Sequence, residues 1–168
     1  MPKLIENPRE RIILEASSLL KSQGYSALTI QAVAKHCGMA VGTVYNYFSS
    51  KDEVLAACIS QSWAHSFELI QTVSRYADSL EAVVRCIYDQ LRAFGQDHAL
   101  LFSDEVAAAS VDGLIFRHVH YLSAQISRAL EKFCTSPDRA QIIAEALIIW
   151  VRTGKSYEQI LACVSAMA

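Results

Sequence analysis

Apolar residues recur every three or four positions along most of the chain, with polar residues between them, the pattern of helices buried on one face. The first run puts Ile12, Ile13, Ala16, Leu19 and Leu20 on one stripe. Asn7-Pro8-Arg9-Glu10 reads as its start. Asn can cap, Pro suits the first helical position, and Glu10 stands where a capping-box acid reaches back. Gly24 closes this helix. Tyr25 to Leu28 then form a short link, with Leu28 able to pack back on the helix before it. Thr29 is the next cap, followed by Ile30, Val33 and Ala34 on one face, and Cys37-Gly38 ends that helix after about two turns. Another helix of about two turns is expected from Ala40 to Tyr47. Helices this short are marginal alone in water, so neighbours must hold them. A longer helix followed by two short ones joined at a glycine turn describes a helix-turn-helix unit.

Ser50-Lys51-Asp52-Glu53 reads as a capping box opening a long helix. Its apolar positions Val54, Leu55, Cys58, Ile59, Trp63, Phe67 and Ile70 carry it to about Tyr76. Ser79 to Gly95 is amphipathic through Leu80, Val83, Val84, Ile87, Leu91 and Phe94. Residues 96–115 are less decided, with Ser103-Asp104-Glu105 able to cap a short helix to Ala109 and Asp112-Gly113 reading as a turn. A long helix is expected from Leu114 to Cys134, then one capped by Ser136-Pro137-Asp138 and ending at Gly154. Ser156 with Gln159 makes a last capping box. Strand patterns, repeats and low-complexity tracts are absent from the sequence, so the expected fold class is all-α. The expected domains are residues 1–51, a helix-turn-helix head, and residues 52–168, a helical body, with the junction at the start of a helix.

Composition narrows the class. The chain has 168 residues, 52% of them hydrophobic and 19% charged, which excludes disorder and supplies a core. No apolar run is long enough to span a bilayer, and Met1 to Glu10 is too polar for a signal peptide, so a soluble cytoplasmic protein is expected. Cys37, Cys58, Cys86, Cys134 and Cys163 are odd in number and scattered. They suggest neither a disulfide frame nor a zinc site. Net charge is only −2. Its distribution says more: residues 1–51 hold six Lys/Arg against three acids, and the remainder nine against fourteen. A basic head on an acidic body fits an N-terminal reader of a polyanion.

The stretch CGMAVGTVYNYFSSK, Cys37 to Lys51, carries the chemistry. A recognition helix offers its N-terminal residues to base edges in the major groove. Gly42 on such a helix costs roughly 1 kcal/mol against Ala, a cost that makes sense if backbone must approach DNA. Thr43 offers a hydroxyl and a methyl, Asn46 can bond adenine twice, and the hydroxyls of Tyr45 and Tyr47 can reach phosphates. Lys51 would supply charge at the groove edge. Val44 and Phe48 are expected to point inward.

From Arg11 to Leu55 the sequence resembles the DNA-binding domain of the tetracycline-repressor (TetR) family. The resemblance rests on Gly24-Tyr25, Leu28-Thr29, Val33-Ala34, Cys37-Gly38, Gly42-Thr43-Val44-Tyr45, Tyr47-Phe48, Lys51 and Leu55. It implies that Thr29 both caps its helix and touches a phosphate, that Gln31 reaches a base, and that Val41 faces one. It also implies a dimer that binds double-stranded DNA at a near-palindromic operator, built from the last two helices of each subunit. Ile142, Ala146, Ile149, Trp150, Leu161 and Val164 are the candidate dimer residues. An unknown small-molecule effector would bind the body and control operator affinity, with the protein most often a repressor. Trp63, Phe67, Tyr88, Phe94, Phe102, Phe116 and Tyr121 are the candidate pocket lining. One departure stands out: at Ala40 the family often has Ser, and Ala can neither cap nor bond a phosphate.

No cofactor or metal is expected, and no catalytic constellation is visible. His118 and His120 do not share a helix face. Gly154-Lys155-Ser156 lacks both the upstream glycine and the strand of a phosphate loop. His65, His98, His118, His120 and Arg128 could orient a ligand but equally suit the surface. The alternatives are a helical small-molecule-binding protein or enzyme whose helix-turn-helix does not bind DNA, and a protein-interaction adapter. The first would need a catalytic constellation in the body. The second would need apolar residues in place of Thr43, Asn46 and Lys51.

Overall fold

The structure is a computed structural model and describes residues 7–99 and 120–168. Among the described residues the regular elements are helices and short 3-10 turns, and no strand occurs. The expected all-α class is what the chain adopts. The expected short helix at 103–109, the turn at 112–113 and the start of the long helix at Leu114 lie outside the described residues.

Among the described residues, 7–62 with 98–99 form one compact unit and 63–97 with 120–168 form the other. In the first, α1 (Pro8–Gln23) leads through a 3-10 turn at Tyr25–Ala27 to α2 (Ile30–Cys37) and α3 (Val41–Tyr45). The helix α4 (Lys51–Tyr76) begins in this unit. Helix α1 packs on α2, and α2 on α3. The core is the stripe the periodicity marks: Ile12, Ala16 and Leu19 from α1, Val33 from α2, Val44 from α3, and Val54 and Leu55 from α4, all buried. Leu28 and Phe48 from the connections join it, each 1% exposed.

The caps explain where these short helices stop. Thr29 has extended backbone, and its hydroxyl accepts the Ala32 N–H at 3.0 Å. At the other end of α2, Gly38 takes a φ of 66°, so the Met39 N–H can turn back to the Ala34 carbonyl at 2.9 Å. Such a closure needs a left-handed residue, which only glycine adopts without strain. Two local expectations change. Asn7 has a φ of 50° and its side chain makes no cap bond, so α1 starts on Pro8 without one. Helix α3 is shorter than Ala40 to Tyr47, because Tyr47 and Phe48 both bond back to the Val44 carbonyl at 3.0 Å and tighten the chain into a turn.

The second unit holds the rest of α4, then α5 (Leu80–Asp97), α6 (the described part, 120–130), α7 (Pro137–Arg152) and α8 (Tyr157–Met167). Helix α5 packs on α7 and α8, which pack on one another. Ile70, Val83, Ile87, Ile126, Leu130, Ile143, Leu147 and Ile160 form its core. Helix α6 does not run on to Cys134 but tightens into a 3-10 turn at Glu131–Phe133. The Ser136 cap and the reciprocal Ser156–Gln159 capping box form as their spacing predicts. Helix α7 ends at Arg152, with Gly154 at a φ of 80° and the Lys155 N–H bonded to the Trp150 carbonyl at 3.0 Å. No described helix is long and apolar enough to cross a membrane.

Candidate nucleic-acid interface

Helix α3 divides its residues cleanly. Val44 is 0% exposed and Phe48, just beyond the helix, is 1% exposed, so these two anchor the segment to the core. Val41, Gly42, Tyr45 and Asn46 fall at spacings that share the opposite, exposed face. Tyr45 is 51% exposed and Tyr47 40%, large exposures for aromatic side chains in a unit with a well-packed core. Thr43 is half-buried beside them.

Gly42 has no internal reason to be glycine. Its φ is ordinary, and a Cβ built there meets nothing within 4 Å. The contrast with Gly38 is useful: there the backbone conformation itself demands glycine. Glycine at such an exposed helix position costs roughly 1 kcal/mol against Ala.

On α2, Thr29 and Gln31 are exposed. The Thr29 cap uses an oxygen lone pair, so the hydroxyl proton remains to donate to a phosphate oxygen. Ala40 occupies the cap position of α3 with φ −68° and ψ 145°, and makes no side-chain cap bond. The backbone there is already shaped for a capping serine.

Lys51, expected to supply charge at the groove edge, has contacts within the head. It is half-buried, its Nζ donates to the Tyr25 carbonyl at 2.8 Å, and it lies 3.4 Å from the Tyr25 ring centroid. The Tyr25 hydroxyl donates to Asp52 Oδ1 at 3.3 Å. The box at the start of α4 is also modified. Ser50 Oγ accepts the Glu53 N–H at 3.2 Å, but Glu53 reaches back to Ser49 instead of Ser50. Two hydrogen bonds from Ser49 hold the Glu53 carboxyl below its usual pKa. At the opposite edge, the Arg9 guanidinium lies 5.2 Å from the Phe48 ring centroid. Sequence reasoning missed the roles of Tyr25, Asp52, Ser49 and Arg9. The Gly24-Tyr25 pair of the TetR-like motif was a signal for Tyr25 alone.

The thiols of this unit are structural. Cys58 Sγ donates to the Ile13 carbonyl at 3.6 Å and Cys37 Sγ to that of Arg11 at 3.8 Å. Burial raises the pKa of both.

In the second unit the candidate pocket aromatics separate into groups. Trp63 stacks on Phe94 at 4.2 Å and touches Phe67 at 5.8 Å, and Phe67 meets Tyr121 edge-on at 5.9 Å. Tyr88 is not part of that row; it packs edge-on against Tyr157 at 5.5 Å. Phe102 and Phe116 lie outside the described residues, as does His118. His65, His120 and Arg128 are exposed, whereas His98 is 5% exposed and within 3.5 Å of Ser62 Oγ.

Of the dimer candidates, Ile142 is 54% and Ile149 52% exposed, with Ala146 and Trp150 half-buried on the same stripe of α7. Helix α7 has two faces: Ala140, Ile143, Ala144 and Leu147 face the core, and the Ile142 stripe does not. Leu161 is half-buried. Val164 is a correction. It is 0% exposed, stacked with Tyr157 and Ile160 on the inward face of α8, and cannot meet a partner.

A three-helix head with an anchored, exposed α3 turn defines a helix-turn-helix protein. Residues 12–58 match the family model of the bacterial regulatory proteins of the tetR family. It is 41% identical over 54 residues to the HTH-type transcriptional regulator HbdR of Aromatoleum sp. (strain CIB), an overlap of 32% of this chain and 24% of the relative. It is 33% identical over 119 residues to the HTH-type transcriptional repressor KstR of Rhodococcus jostii (strain RHA1), covering 64% of this chain and 54% of that one. The chain thus spans between a quarter and about half the length of these two curated relatives. The fold extends further than the sequence similarity. The multidrug binding protein EbrR, solved with imidazole, superposes with a TM-score of 0.72 at 17% identity, over 97% of this chain and 96% of that one.

Proposed function

We propose that the protein is a sequence-specific DNA-binding transcriptional regulator. The observation that carries this is the α3 segment: Val44 and Phe48 buried beneath it, and Val41, Gly42, Tyr45, Asn46 and Tyr47 exposed, with a glycine that the chain itself does not need. Thr29 and Gln31 from α2 extend the surface, and Thr43 flanks it. Residues 1–51 act as the DNA-binding domain and residues 52–168 as the effector-binding and dimerisation domain.

The protein acts as a homodimer through α7 and α8. Two exposed isoleucines one heptad apart on a helix are a self-complementary apolar stripe, and a two-fold dimer places two recognition helices on a near-palindromic operator. It represses, as its relative KstR does. A small-molecule effector bound among Trp63, Phe67, Phe94 and Tyr121 lowers operator affinity through differential binding to two arrangements of the dimer. The structural neighbour EbrR, a multidrug binding protein, lends support to that reading.

The test is a gel shift on duplexes enriched by the protein from a random-sequence pool. Binding is expected to weaken as salt rises, because phosphate neutralisation releases counterions. Tyr47→Ala is expected to weaken binding while sedimentation remains that of the wild type. Wild-type affinity in Tyr47→Ala, or salt-independent binding, would overturn the assignment.

A further inference from the structure

Resting on the DNA-binding reading, we infer that Lys51 is a positioning residue: it clamps the Tyr25 turn to the first turn of α4 and holds Thr29 in register, instead of neutralising a phosphate. The clamp is built from both ends of Tyr25. The Lys51 ammonium takes the Tyr25 carbonyl at 2.8 Å and one face of its ring at 3.4 Å. The next residue of α4, Asp52, accepts from the Tyr25 hydroxyl at 3.3 Å. Tyr25 is 6% exposed, so the ring that receives the cation is itself fixed in the core.

The same carbonyl also accepts the Leu28 N–H at 3.1 Å, the bond that closes the 3-10 turn. A carbonyl has two lone pairs, and Tyr25 uses both. The turn delivers the chain directly to Thr29, whose hydroxyl caps α2 and faces the proposed DNA surface. On its other side, the first turn of α4 is tied to the end of the recognition segment through Ser49 and Glu53. The first turn of α4 is therefore the common support of Thr29 and the α3 segment. The carbonyl and the ring that the ammonium meets both belong to Tyr25, so its charge is directed at the turn.

The experiment uses the full chain and a duplex enriched by the wild type from a random-sequence pool. In Lys51→Met, affinity is expected to fall about tenfold, the size of one good contact. The slope of log affinity against log salt is expected to stay that of the wild type. A slope shallower by about 0.9 would mean that one phosphate contact was lost, and would overturn the inference while leaving DNA binding intact. Unchanged affinity would overturn it equally. A second measurement needs no variant: the Lys51 ε-protons should show an upfield ring-current shift from Tyr25 by NMR, and should keep it when the duplex is added. Loss of that shift in the complex would overturn the clamp. Failure of the wild type to enrich any duplex would instead overturn the DNA-binding reading itself, whatever the NMR shift of the free protein.

Discussion

The Glu53 carboxylate accepts two hydrogen bonds from Ser49, from its backbone N–H at 2.6 Å and from its hydroxyl at 2.8 Å. These bonds favour the charged form, and the folded-state pKa lies below the ordinary 4.5. A depressed carboxylate contributes stability above its unfolded pKa and loses it as pH falls through its folded pKa. Glu53→Gln is therefore expected to melt below the wild type at pH 7. The two melting temperatures should converge as pH falls below 4.5 and through the folded-state pKa. Thermal unfolding followed by circular dichroism over that range checks this. A gap that stays constant with pH would contradict it.

The glycines of the head make opposite predictions. Gly38→Ala forces a left-handed conformation on a residue with a Cβ and is expected to cost about 1–2 kcal/mol. Gly42→Ala meets open space at an ordinary φ and is expected to gain about 0.4–1 kcal/mol, chiefly by restricting the unfolded chain. Urea unfolding measures both. The gain at Gly42 should come with weaker DNA binding in a gel shift, since the added methyl stands on the exposed face of α3. Undiminished binding would show that close approach to DNA is not why this position holds glycine.

Ala40 stands in cap geometry without a capping side chain. Ala40→Ser is expected to raise stability by about 1 kcal/mol through a new bond to the amides of α3's first turn. It is also expected to tighten DNA binding by adding a phosphate donor. Urea unfolding and gel shift separate the two effects, and no change in either would show that α3 is already satisfied there.

The exposed stripe of α7 and its buried face should respond differently. Replacing Ile142 and Ile149 together by Glu should leave the helix content by circular dichroism unchanged, because both side chains are more than half exposed within the subunit. Sedimentation should then show a monomer with weakened operator binding. Leu147→Ala, at a position 0% exposed, should instead cost about 2–5 kcal/mol. A double variant that still sediments as a dimer would place the interface elsewhere.

Much of the fold was legible because its signals are local. Thr29, Gly38, Ser136 and the Ser156–Gln159 pair act on groups within four or five residues of themselves, and each does in the structure what its spacing predicts. Val44 and Phe48 were legible as anchors because helical periodicity separates them from their exposed neighbours. Asn7 and Glu53 failed for an equally local reason. Asn7 takes a left-handed φ of 50° at the cap position, and Glu53 follows two neighbouring serines that sequence spacing does not rank. Asn7 forms no cap bond, and Glu53 takes Ser49 in place of Ser50.

By itself, the sequence determined the helical class, the order of the short head helices and the residues that line their shared core. Hydrogen bonds between near neighbours and a 3.6-residue period suffice for that. Only the tertiary structure decided what the Lys51 charge does, since its partner Tyr25 lies 26 residues away and nothing local selects a distant carbonyl and ring. It likewise decided that Val164 faces inward and that Tyr88 stands apart from the Trp63 row. A cation or an apolar side chain satisfies itself on whatever the fold brings near, and that neighbour is set by packing between helices.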